Sequence, residues 1–264
     1  MKLSDFDYHL PPEHIAQFPS PAREQSRMMV VSRKEPVLHH QHFFNIADWL
    51  VRDDTIVIND SQVIPARLCG KKETGAAIEI LLLSPSKGAS PDSSLWEVLL
   101  RPGKRIRPGT LIALDAKGEG KVLERLSEKK WLVEFKTDMP FDAFLSRFGH
   151  IPLPPYIDRK NMERAYSEDQ TRYQTVYARH PGSVAAPTAG LHFTSAILQQ
   201  LQEMGVNIVR ITLHVGYGTF VPIEAERIED HRMDEEFFEI SPEAARIISA
   251  SPRVIAVGTT SARV

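Results

Sequence analysis

The alternation of hydrophobic and polar positions changes rhythm along the chain. Residues 55–60, TIVIND, form an apolar run that turns polar at Asn59 and Asp60. Such a run predicts a strand buried on both faces with a polar end. From about residue 66 to residue 136 the runs are short and β-like: AAIEILLL, LWEVLL, TLIALD, GKVLERL and WLVEF. Turn-rich pieces such as SPSKGASPDSS separate them, and short strands so spaced predict a small barrel or compact β unit. FDAFLSRFG at 141–149 reads as a short helix, and PLPPY as a rigid extended connector.

From residue 173 onward helix and strand alternate, with helices at 195–204 and 242–250 and strands at 206–215 and 253–258. Thr194 and Ser241 are placed as N-caps, Pro242 opens a helix, and Gly205 is placed to end one in the left-handed region. The expected fold is a larger α/β domain, residues 1–65 and 151–264, interrupted by a β-barrel-like insert at 66–150.

Between these elements lies YQTVYARHPGSVAAPTAGLHFT, residues 173–194, with little period of either kind. Long irregular segments inside compact domains are usually functional loops, although a long structural connection is the alternative. The segment runs into a helix start, where exposed amides and small residues suit an anionic or strongly polar ligand.

Composition narrows the class. The 264 residues are 42% hydrophobic and 25% charged, which is ordinary for a soluble protein. The N-terminus has no basic segment followed by an apolar run, and IEILLL at 78–83 is too short to span a bilayer. Cys69, the single cysteine, has no internal disulfide partner and fits a reducing cytoplasm as a structural thiol. Net charge is −2, so any RNA contact has to be local. Arg101, Lys104, Arg105 and Arg107 fall within seven residues on a Pro/Gly-rich loop, with Lys71 and Lys72 earlier. Such a loop can bind phosphates or simply be solvated.

Ordered motifs resemble one family over nearly the whole chain. They are IAQFP at 15–19, Arg23/Ser26/Arg27, INDSQVIPARLCGKKETGAAIEILLL at 58–83, RPGKRIRPG at 101–109 and PLPPYI at 152–157. The 173–194 loop, TLHVGYGTFVPI at 212–223 and VIAVGTTSAR at 254–263 complete the set. The chain is similar to the S-adenosylmethionine:tRNA ribosyltransferase-isomerases of queuosine biosynthesis.

The resemblance implies transfer and rearrangement of the ribosyl part of S-adenosylmethionine onto 7-aminomethyl-7-deazaguanine at the tRNA wobble position. Epoxyqueuosine-tRNA forms, and adenine and methionine leave. It implies a cytoplasmic, monomeric enzyme with no cofactor, S-adenosylmethionine being consumed as co-substrate. The sulfonium acidifies the adjacent C5′ hydrogens, so such chemistry calls for a general base, a proton donor for adenine and a neutral incoming amine.

His192, in the loop, and His214, near a strand end, are candidate general acids or bases, the alternative being an imidazole bonded to backbone. Asp60 follows a strand end, a ligand-facing place in α/β proteins, and Arg67 can either orient substrate with it or form a structural pair. Ser183 and Thr188 offer hydroxyls for ligand or loop, and Tyr173 a ring for stacking or packing. Gly190 belongs to the same loop. Gly216, Gly218 and Thr219 form a glycine-rich turn without the spacing of a dinucleotide fingerprint. Gly258 and Thr259 occupy a second strand-to-loop exit, with a tight turn as the alternative.

His231, Asp234 and Glu235 are metal-ligand types without a companion cluster, so a solvated face is expected and no metal. Family members usually carry His-Ser-Glu where Asp234, Glu235 and Glu236 stand here, so only His231 and Glu236 carry over. The family pattern also continues past SARV, which leaves a truncated or catalytically impaired tRNA-binding relative as the competing expectation. An ordinary methyltransferase is disfavoured, because no glycine-rich strand–loop–helix appears near the N-terminus.

Overall fold

A computed structural model describes the chain apart from residues 87–93, 104, 116, 160–164, 221, 222 and 224. Two compact units emerge. One comprises Met1–Gln62, Pro154–Met162 and Thr171–Val264; the other comprises Val63–Leu153 and Glu163–Gln170. The second unit therefore opens at Val63, three residues before the position read from the sequence, and takes in a segment after the connector.

In chain order the strands begin with β1 (Arg27–Val31) and β2 (Leu38–His42), an antiparallel pair. Then come β3 (Thr55–Asn59) and the short β4 (Ser61–Val63). The second unit contributes β5 (Arg67–Lys72), β6 (Ala77–Pro85), β7 (Leu95–Arg101), β8 (Leu111–Leu114), β9 (Gly118–Arg125) and β10 (Lys130–Thr137). These six close into a barrel in the order β10-β7-β6-β5-β8-β9, antiparallel throughout.

The barrel follows from two-residue alternation. On β6 Ile78, Ile80 and Leu82 point inward and are buried, and on β10 Trp131, Val133 and Phe135 do the same. Strand β5 escaped the sequence reading because Arg67, Gly70, Lys71 and Lys72 dilute its hydrophobic signal. Gly70 has a packing reason: a Cβ there would lie 2.5 Å from the Ala113 carbonyl oxygen of β8. Helix α1 (Phe141–Phe148) buries Phe141, Phe144 and Leu145 on one face, and Phe141 stacks on Phe135 at 4.7 Å. Helix α2 (Ala165–Arg172) follows.

The first unit resumes with β11 (His180–Ser183), α3 (Ser195–Glu203), β12 (Asn207–Leu213), β13 (Phe238–Glu239), α4 (Pro242–Ala250), β14 (Val254–Ala256) and α5 (Gly258–Arg263). Its four-stranded sheet runs β13-β12-β3-β14, with β3 parallel to both β12 and β14. All five β3 residues are buried, as a continuous apolar run in a parallel sheet requires. Helix α3 presents Ile197 and Leu201 to a core that includes Ile56, Ile58 and Val206. Burying a side chain such as Leu201 contributes about 2 kcal/mol.

The anticipated caps are in place. Thr194 Oγ1 accepts from the Ile197 amide at 3.2 Å, Ser241 Oγ accepts from the Ala244 amide at 3.1 Å, and Gly205 adopts φ +86°. Two segments are more ordered than their sequence suggests. The 173–194 stretch contains β11 and a 3-10 turn at Thr188–His192, and the residues after β14 form helix α5 rather than a loop. Among the described residues no helix is long and apolar enough to cross a membrane.

The Gly70 packing gives a direct test. Gly70→Ala is expected to lower unfolding stability by about 1–3 kcal/mol through overpacking against backbone. An unchanged urea midpoint would show that β5 and β8 are not held this closely.

Candidate active site at the strand ends

Because β3, β12 and β14 are parallel, their carboxyl ends lie on one edge of the sheet. In open α/β sheets that edge is where ligands bind. Three segments leave it: Asp60–Ser61 after β3, His214–Gly218 after β12, and Gly258–Thr260 after β14.

Asn59 organises the edge. Its Oδ1 accepts from the amides of Leu213 (3.0 Å) and Ser61 (3.1 Å), while its Nδ2 donates to the Leu213 carbonyl at 2.9 Å. One fully buried side chain thus takes over the backbone pairing where the two strands part. Asp60 is 3% exposed; its Oδ1 accepts from Thr212 Oγ1 at 2.8 Å and its Oδ2 lies 3.8 Å from His180 Nε2. The Asp60 carbonyl accepts from the amides of Arg179 and His180, fixing the loop before β11 to the same strand end.

His214 is half-buried. Its Nδ1 lies 2.7 Å from Ser61 Oγ, which lies 2.8 Å from Ser183 Oγ, which accepts from the Val215 amide at 2.8 Å. The imidazole rests on Gly182, where a Cβ would meet ring atoms at 2.8–2.9 Å and φ is +152°. Phe237 stacks on the ring at 5.7 Å and 22°. Burial, and then the neighbouring His180, push the His214 imidazole below its ordinary value, against a smaller upward pull from Asp60. At neutral pH it is therefore an uncharged ring.

The glycine turn after β12 is tied down by Glu236. Its Oε1 accepts from the Gly216 amide at 2.9 Å, and its Oε2 pairs with Arg263 of α5 at 2.7 Å. Gly218 and Thr219 sit in the following turn, Tyr217–Phe220. Gly258 has φ +83° and approaches Ala189, so the Thr188–His192 turn packs beside the start of α5. Thr188 and Thr259 are exposed there.

Several sequence candidates take other parts. His192 lies 5.5 Å from Phe43, and burial pushes its imidazole down. Arg23 donates to the carbonyls of Leu191 (2.9 Å) and Thr171 (2.7 Å), so it ties segments together.

Three of the ligand candidates are buried. Tyr173 is buried, so its ring packs and offers no open face for stacking; burial pushes its phenol up. Gly190 is buried beneath Tyr177, whose hydroxyl an added Cβ would strike at 2.0 Å. Ser183 is fully buried and reaches His214 only through Ser61.

Arg67 belongs to the barrel unit, where its guanidinium lies 3.8 Å from Glu79. Arg101, Arg105 and Arg107 are exposed on the barrel unit, and Lys104 lies outside the described residues. Cys69 is half-buried, and burial pushes its thiol up, as expected of a structural cysteine. Among the described residues no group of three or more His, Cys, Asp or Glu is placed to hold a metal ion.

Sequence reasoning missed Ser61, His180, Phe237 and Arg263. The polar triplet Asn59-Asp60-Ser61 directly after an apolar strand was the available signal for Ser61. The others are brought in by tertiary contacts that no local pattern encodes.

A buried carboxylate, a neutral imidazole and glycine-rich turns at parallel strand ends define an α/β protein with an enzyme-like edge, carrying a separate six-stranded barrel. Over residues 3–264 the chain matches the family described as "Queuosine biosynthesis protein". It belongs to that family. Its relatives include the S-adenosylmethionine:tRNA ribosyltransferase-isomerase of Syntrophus aciditrophicus, 52% identical, with all of this chain and 77% of the relative aligned. The protein of that name from Pelobacter propionicus is 47% identical, with all of this chain and 76% of the relative aligned. A crystal structure of S-adenosylmethionine tRNA ribosyltransferase from Thermotoga maritima matches 98% of this chain and 71% of its own, at 29% identity and a TM-score of 0.42.

The depressed His214 value sets a pH dependence. Below the ordinary value of 6.5 the unfolded chain binds a proton that the folded imidazole resists. Stability therefore rises with pH in that window and is lost as pH falls from 6.5 toward the folded value. His150 and His192 shift the same way, so the test is a difference. Urea midpoints measured from about pH 8 to about pH 5 should fall less steeply in His214→Gln than in the parent. Equal slopes would mean that His214 titrates normally.

Proposed function

We propose that this chain transfers and isomerises the ribosyl moiety of S-adenosylmethionine onto 7-aminomethyl-7-deazaguanine at the tRNA wobble position. Epoxyqueuosine-tRNA is formed, and adenine and methionine are released. The observation that carries this reading is the meeting of Asp60, His214, the Gly216–Gly218 turn and the start of helix α5 at Gly258–Thr259 on one sheet edge of a chain in this family.

In this reading S-adenosylmethionine is consumed at that edge as ribosyl donor, and no other cofactor enters. The amides and small residues of the Gly216–Gly218 turn and of the start of α5 let backbone approach the donor. Asp60 and His214 divide the work: one group removes a C5′ proton beside the sulfonium, and the other supports the purine as it leaves. A neutral His214 is suited to such work because its ring does not carry a competing positive charge next to a sulfonium. His192, whose imidazole burial also pushes down, offers a second ring for acid–base work. Arg101, Lys104, Arg105 and Arg107 contact tRNA phosphates, and the protein works as a cytoplasmic monomer.

The test incubates the chain with S-adenosylmethionine and tRNA carrying 7-aminomethyl-7-deazaguanine, following adenine release and nucleoside mass together. Adenine release with the epoxyqueuosine mass is expected, with apparent tRNA affinity weakening as salt is raised. Tight tRNA binding without adenine release, under conditions where the Syntrophus aciditrophicus relative turns over, would make the chain a binding protein instead.

A further inference from the structure

The bonds around His214 have a direction. The Val215 amide can only donate, so Ser183 Oγ accepts from it at 2.8 Å. Ser183 is 0% exposed, and among the described residues its only other side-chain hydrogen-bond neighbour is Ser61 Oγ at 2.8 Å. The Ser183 hydroxyl proton therefore goes to Ser61. Ser61, also 0% exposed and now an acceptor from Ser183, sends its own proton to His214 Nδ1 at 2.7 Å. The reverse order would leave the Ser183 proton buried without an acceptor, which folded proteins avoid. An imidazole with Nδ1 accepting and no net charge carries its proton on Nε2.

We infer that Ser61 and Ser183 are positioning residues that hold neutral His214 as its Nε2–H tautomer, so that the imidazole presents a hydrogen-bond donor to an electronegative atom of the bound substrate. The inference rests on the sheet edge being the active site. No proton is transferred in this role; the ring stabilises charge that develops on a substrate oxygen or nitrogen, and removal of the C5′ proton falls to another group.

The surroundings support a fixed ring. Gly182 lies against the imidazole, Phe237 stacks on it, and the titratable groups facing it are His180 and Asp60. Protonation would require Nδ1 to become a donor, which would reverse both serine bonds against the Val215 amide. The relay thus opposes the charged form in addition to burial. The serines act through His214 and need no contact with substrate.

The experiment records nitrogen–proton correlation spectra of the whole chain labelled with 15N-histidine. His214 is assigned as the resonance missing from His214→Gln among the ten histidines. Nδ1 should appear as the bare ring nitrogen and Nε2 as the protonated one. In Ser61→Ala the tautomers should mix and the His214 pKa should rise, while kcat falls about tenfold or more at nearly unchanged donor KM. Ser183→Ala, which does not touch the ring, should also shift the tautomer balance, an effect that packing alone would not produce.

A parent His214 protonated on Nδ1 overturns the inference, as does an unmoved tautomer balance in both serine variants. The parent spectrum stands even if a variant fails to fold. If the tautomer is as inferred but His214→Gln turns over at the parent rate, the active-site reading fails and the relay survives.

Discussion

The buried Asn59 side chain is the contact on which the rest of this protein's edge depends. Parallel strands β3 and β12 must part at their carboxyl ends to release two loops, and parting orphans backbone groups that water cannot reach. Asn59 supplies both a donor and an acceptor to Leu213 and a second acceptor contact to the Ser61 amide. The strands therefore stay in register up to the residue before the two loops diverge. Asp60 and Ser61 are delivered beside Thr212 and His214 as a consequence.

The same economy of short polar bonds extends outward. Glu236 links the turn after β12 to helix α5 through Gly216 and Arg263, and the Asp60 carbonyl holds the loop that leads into β11. The segments that line the edge are thus tied to one another by buried or half-buried hydrogen bonds. Charge-assisted and well-aligned bonds of this kind hold catalytic groups in place more firmly than loop packing does. The chain belongs to the queuosine biosynthesis family, and its relatives are named S-adenosylmethionine:tRNA ribosyltransferase-isomerases.

How much of this was written in the sequence depends on the range of the interaction. The buried run TIVIN, the two-residue alternation of β6 and β10, and the caps at Thr194 and Ser241 are local signals, and each gave its element. Strand β5 was hidden because a glycine and lysines break its pattern, though Gly70 is there to admit the Ala113 carbonyl. Asp60, His214, Gly216, Gly218 and Gly258 were legible as strand-end residues, since parallel topology sends such residues to one edge. Ser61, His180 and Arg263 were not, because their partners lie far along the chain. Tyr173, Ser183 and Gly190 looked like ligand residues by type, and only burial separates them from solvent-facing neighbours such as Thr188.

The central claim is that the donor binds at the carboxyl ends of β3, β12 and β14. The most direct measurement is a backbone amide chemical-shift titration of the chain with S-adenosylmethionine alone. The account predicts the largest changes at Asp60–Ser61, Gly216–Gly218 and Gly258–Thr259, with the barrel strands little affected. Changes confined to barrel residues such as Cys69 and His150, with the strand ends silent, would contradict it.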